Sequence, residues 1–101
     1  MHVIRAEERE FQPIGFGGID KAVLWRGGEQ VAFELFRLPK GSVYPEHGHA
    51  FFEALLILEG AIEMDGVTYR AGDFLFTTPG EVHAVTMLED TLAFFGFGQA
   101  A

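Results

Sequence analysis

Turn-forming residues punctuate this chain at intervals of roughly 8–12 positions, and the stretches between them alternate apolar with polar or small side chains. The turn signals are Arg26-Gly27-Gly28-Glu29, Pro39-Lys40-Gly41, Asp65-Gly66, Ala71-Gly72-Asp73, Thr78-Pro79-Gly80-Glu81 and Leu88-Glu89-Asp90. A period of two sends successive side chains to opposite faces, which is the signature of strands rather than helices. Asp65-Gly66 is the strongest of these signals, because glycine accepts the positive φ of a type I′ hairpin turn. The spacing predicts strands over 19–25, Val31–Leu38, a segment ending near His49, 53–58, Ala61–Met64, Val67–Arg70, Phe74–Thr77, Val82–Met87 and 91–97. No helix longer than a turn or two is expected. Residues 2–18 offer an edge strand at Val3-Ile4, a helical turn over 5–10, and a loop enforced by Pro13 and Gly15-Phe16-Gly17-Gly18. Eight to ten short strands of this kind make an all-β sandwich or barrel.

Within that framework one stretch carries chemistry. His47 and His49 are two positions apart, so on an extended chain both imidazoles point to one side. Glu53 follows four residues later, on the same side or reachable across a turn. Imidazole nitrogen with carboxylate oxygen suits a divalent transition metal, whereas calcium or magnesium would call for oxygen alone. His83 is the best candidate for a further donor. The 101 residues contain no cysteine, which excludes disulfides, thiolate metal sites and a cysteine nucleophile. Ser42 is the only serine and no Gly-x-Ser-x-Gly elbow exists. The glycines at 15–18 lack the spacing and the lysine of a phosphate loop.

The spacing is also familiar. Gly41, five residues, His47-x-His49, three residues, Glu53, six residues and Gly60 resemble the first cupin motif at every interval, over 41–60. Residues 72–87 resemble the second, with Gly72, Gly80 and His83 at the family's offsets; Pro79 stands one place late and Met87 replaces the usual asparagine. The chain is thus similar to a small single-domain cupin, residues 1–101. The resemblance implies a double-stranded β-helix, the cupin jelly-roll barrel, with a short N-terminal extension. It further implies that His47, His49, Glu53 and His83 hold one divalent metal inside it. The donors serve Fe, Mn, Ni and Zn alike.

Four protein donors leave one or two coordination positions open for water or substrate. Strand parity sets Leu55 and Ile57 on the side of Glu53, and Val85 and Met87 on the side of His83. These four form an apolar wall, read either as the slot for an aromatic or other small organic substrate or as barrel filling. Tyr44 and Glu46 by alternation face away from His47, and the parity of Glu34 is unassigned; each is read as a solvated or interface residue. No catalytic acid or base is identified. The main expectation is therefore an iron-type dioxygenase, in which the metal itself gathers substrate and oxygen. A non-catalytic, metal-organised module that binds or senses a small molecule is the alternative, and a metal-dependent isomerase or epimerase a weaker one. A sensor of this kind would need a protein partner.

A net charge of −8, with seven Lys and Arg, argues against nucleic acid and anionic membranes. The N-terminus lacks a signal-peptide core and no run is long enough to span a membrane, so a cytoplasmic protein is expected. Eleven phenylalanines exceed what one small barrel obviously needs. Phe33, Phe36, Phe94, Phe95 and Phe97 fall on both strand parities, which points to a homodimer unless the N-terminal segment folds back over the same surface.

Overall fold

The computed structural model describes residues 1–28, 30–48 and 51–99, with backbone alone at 46–48. Alternating hydrophobicity becomes ten strands: β1 (Gln12–Pro13), β2 (Asp20–Gly27), β3 (Val31–Leu38), β4 (Val43–Gly48), β5 (Phe52–Glu59), β6 (Ala61–Met64), β7 (Val67–Arg70), β8 (Phe74–Thr77), β9 (Val82–Met87) and β10 (Thr91–Gly98). A single 3₁₀ turn, Ala6–Glu8, precedes them. The expected strand at Val3-Ile4 does not form, and β1 bridges β2 through two residues that the hydrophobic pattern does not mark. The other strands match the predicted ones to within two residues at each end, and Asp65 and Gly66 both take positive φ, 51° and 79°, at the β6–β7 hairpin.

All pairings are antiparallel, in a six-stranded sheet ordered β1-β2-β3-β10-β5-β8 and a four-stranded sheet ordered β4-β9-β6-β7. The two sheets make the jelly-roll expected of the sequence. β10 lies beside β3 and β5, and β9 between β4 and β6, so each motif strand is held by a neighbour distant in sequence.

The inner faces bury alternate residues. Along β5, Glu53, Leu55 and Ile57 are buried while their neighbours are only partly so. Phe36, Leu38, Leu55, Ile57, Ile62, Met87 and Ala93 form the core with Ile19, which arrives just before β2. Among the described residues no helix is long and apolar enough to cross a membrane.

Ile62 is one of the largest side chains with almost no solvent contact. Ile62→Ala is expected to lower the unfolding free energy by about 3 kcal/mol, because a core this small relaxes poorly around a cavity. Val67→Ala, at a half-exposed position of β7, should change it by less than about 0.5 kcal/mol. Urea unfolding followed by circular dichroism checks both.

Candidate functional site

Among the described residues, three ionisable side chains enter the core through the inward series of their strands. Glu53 comes from β5, opposite Thr77 on β8 and Phe97 on β10, and is 9% exposed. His83 comes from β9 and is 7% exposed. Glu34 comes from β3, two residues from Phe36, and is 4% exposed.

Glu53 and His83 line one small cavity with Tyr44, Val85, Met87, Phe36, Leu38, Phe95 and Phe97. It holds about 60 Å³. The aromatic side is a run of packed rings, Phe36 against Phe95 at 4.6 Å and Phe95 stacked on Phe97 at 5.7 Å between centroids. Val85 and Met87 thus lie in the cavity wall, whereas Leu55 and Ile57 belong to the packed core beneath it. The strand register sets the backbone of His47 opposite His83. The side chain of His47 and all of His49 lie outside the described residues, so the pair of donors seen to converge is Glu53 and His83.

Tyr44 departs from the simple alternation expected of its strand. Tyr44 and His47 are three positions apart in β4, but their partners Val85 and His83 are two apart in β9, so β4 carries one extra residue. The bulge shifts the phase, and Tyr44 faces the cavity with Glu53 and His83. Burial, and then the nearby charges of Glu53 and Glu34, raise its pKa above the ordinary 10.0. The phenol is therefore a proton-bearing group across the physiological range.

Glu34 is likewise not the solvated or interface residue that its charge suggested. Its Oε2 accepts from Arg26 Nη2 at 3.3 Å and lies 3.1 Å from Lys21 Nζ, both supplied by β2. Burial of this carboxylate is offset by two cations, as a buried charge requires. The cluster floors an open depression next to the cavity, and Phe97 forms the wall common to both. The available signal was positional: Glu34 shares its parity with Phe36 and Leu38, two core residues.

Comparison with known proteins then places the chain. The model of the ChrR cupin-like domain matches residues 1–101. The anti-sigma-E factor ChrR of Cereibacter sphaeroides is 38% identical over 69 residues, which are 68% of this chain and 32% of ChrR. The chain thus spans roughly a third of the length of that relative. In the crystal structure of Rhodobacter sphaeroides SigE in complex with the anti-sigma ChrR, the match is 28% identical with a TM-score of 0.79, over 92% of this chain and 50% of that one. An RmlC-like cupin from Shewanella frigidimarina reaches a TM-score of 0.85 at 24% identity, over 99% and 92% of the two chains. An acetylacetone dioxygenase from Acinetobacter johnsonii reaches 0.80 at 22%, over 97% and 72%. The last two share the fold.

The position of Tyr44 has a pH consequence. A group whose folded pKa is raised contributes stability that is complete below its unfolded pKa, near 10, and is lost as the pH climbs through the folded value. Stability of chelator-treated protein is expected to fall above pH 10 more steeply in the wild type than in Tyr44→Phe. The tyrosinate absorbance difference between the two proteins should have its midpoint above 10.0. A midpoint at or below that value would place Tyr44 in water.

Proposed function

The chain belongs to the ChrR cupin-like domain family, and from that membership we propose that it is a metal-organised binding and sensing module acting on a protein partner, not an enzyme. The observation that carries this reading is the size of the cavity that Glu53 and His83 share. About 60 Å³ accommodates roughly two water molecules, whereas a single benzene fills a cavity of about 150 Å³. An ion with one or two small ligands fits such a space; an aromatic substrate does not.

The donor chemistry fits a transition metal. Glu53 and His83 are buried and line one cavity, and the backbone of His47 is paired to His83, so a carboxylate and an imidazole stand together where a transition metal would find both donor types. Glu53, His83, His47 and His49 would hold one ion, Fe, Mn, Ni or Zn, and a bound ion of this class polarises whatever small ligand completes its shell. Phe36, Phe95 and Phe97 keep bulk water from that ligand. Tyr44, held protonated, offers a hydrogen bond to it.

The iron-type dioxygenase expected from the resemblance has less support. Likeness to an acetylacetone dioxygenase at 22% identity is a likeness of fold. Proton-transfer chemistry of the isomerase type is not favoured either, since Tyr44 retains its proton and Glu34 is engaged by two cations. The relative with 38% identity is an anti-sigma-E factor, and the anti-sigma ChrR of the solved structure is in complex with SigE; this supports a regulatory reading for the present chain.

Metal analysis of protein grown with balanced Fe, Mn, Ni and Zn is expected to find near-stoichiometric transition metal in the wild type. Glu53→Ala and His83→Ala should each lower metal affinity by at least about tenfold, as loss of a direct ligand exceeds the loss seen on removing an outer partner. Unchanged metal content in both variants would sink the ligand assignment. Oxygen uptake that requires an added organic substrate and disappears in Glu53→Ala would replace the sensor with the oxygenase.

A further inference from the structure

We infer that the open depression floored by Glu34 is a second ligand site, built to take a small organic monoanion, a carboxylate carried on a short apolar or aromatic body. The register of β2 makes the site. Lys21 and Arg26 are five positions apart, so a regular strand would send them to opposite faces. Val23 and Trp25, however, oppose the adjacent residues Glu34 and Phe33, so Leu24 is an extra residue without a partner in β3. The phase changes there, and Arg26 joins Lys21 on the face that Glu34 occupies in β3. The bulge is held from the N-terminal segment, because the Leu24 carbonyl accepts from His2 Nε2 at 2.7 Å.

Charge decides what such a site attracts. One cation offsets a buried carboxylate, but Glu34 Oε2 meets two, Lys21 Nζ at 3.1 Å and Arg26 Nη2 at 3.3 Å, which leaves one positive charge over. That surplus stands in a chain of net charge −8 with only seven Lys and Arg. Glu34 is the only acid among the described residues of the lining. Its side chain is 5% exposed, whereas those of Lys21 and Arg26 are 36% and 54% exposed, so the cluster turns its positive side to the opening. Glu34 engages one nitrogen of the guanidinium, and the rest of that planar fork suits the two oxygens of a carboxylate. A phosphate dianion would exceed the single surplus charge and be repelled by Glu34.

The walls set the rest of the ligand. The depression holds about 400 Å³, within the range of small-molecule sites and several times the cavity at Glu53 and His83. Phe51 and Phe97 give it apolar surface and Gln30 adds an amide. Phe97 stacks on Phe95, which packs on Phe36, so a body resting on Phe97 bears on the aromatic run that walls the smaller cavity. For the binding module proposed above, this is a place for an organic ligand that the smaller cavity does not admit. The site itself stands without the metal.

Titration of the isotope-labelled whole chain with benzoate, followed by amide NMR, tests the inference. Shifts are expected at the amides of Arg26, Gln30 and Ala32, with a dissociation constant of about 1 mM or tighter, the range of a fragment-sized ligand. Benzamide, the neutral isostere, and inorganic phosphate should each bind at least about tenfold more weakly. Lys21→Gln and Arg26→Gln should each weaken benzoate binding by about tenfold or more, with metal content as in the wild type. Arg26→Lys, which keeps the charge and loses the fork, serves if the glutamine variant loses its fold. No shift by about 20 mM benzoate would overturn the inference. So would equal binding of benzamide, tighter binding of phosphate, or benzoate affinity unchanged by these substitutions. Benzoate binding is expected to persist in Glu53→Ala, whose metal content reads the smaller cavity separately.

Discussion

Everything in this structure follows from the need to close two sheets over one row of inward side chains per strand. The interior is small, so each inward position is committed, and a polar residue in that series must be satisfied inside the protein. Glu34, Glu53 and His83 all stand in such positions. Glu34 meets its requirement with Lys21 and Arg26. Glu53 and His83 share a cavity with Tyr44 and apolar side chains, and this is where a metal is proposed.

The same geometry separates what the fold could host from what this cavity admits. A metal held by three imidazoles and a carboxylate serves oxygenases, isomerases and sensors alike, so ligand identity does not choose among them. On the proposed reading the packed rings of Phe36, Phe95 and Phe97 favour a small ligand, because they fill part of the space beside Glu53 and His83.

Two registers decide details that alternation alone misjudges. One extra residue in β4 turns Tyr44 into the cavity beside Glu53 and His83, where burial first, and then the charges of Glu53 and Glu34, hold the proton on its phenol. One bulge in β2 turns Trp25 to the outer face, where it joins Phe33. In both strands the period of two is obeyed locally and broken once, at a point where the side-chain pattern leaves no mark. β1 escaped notice for a related reason: Gln12 and Pro13 gain strand geometry only from their contact with β2.

By itself the sequence determined the strands, their turns and the inward residues of β5 and β9, since these depend on local alternation and on glycine at positive φ. It also marked the candidate donors, because their spacing is a property of the chain. Tertiary structure alone decided that β10 would lie between β3 and β5, that Lys21 and Arg26 would neutralise Glu34, that Tyr44, Glu53 and His83 would line one small cavity, and that two groups of aromatic residues would align across five strands. Those outcomes rest on pairings between residues far apart in the chain, and on bulges that shift them by one place. No local period encodes either.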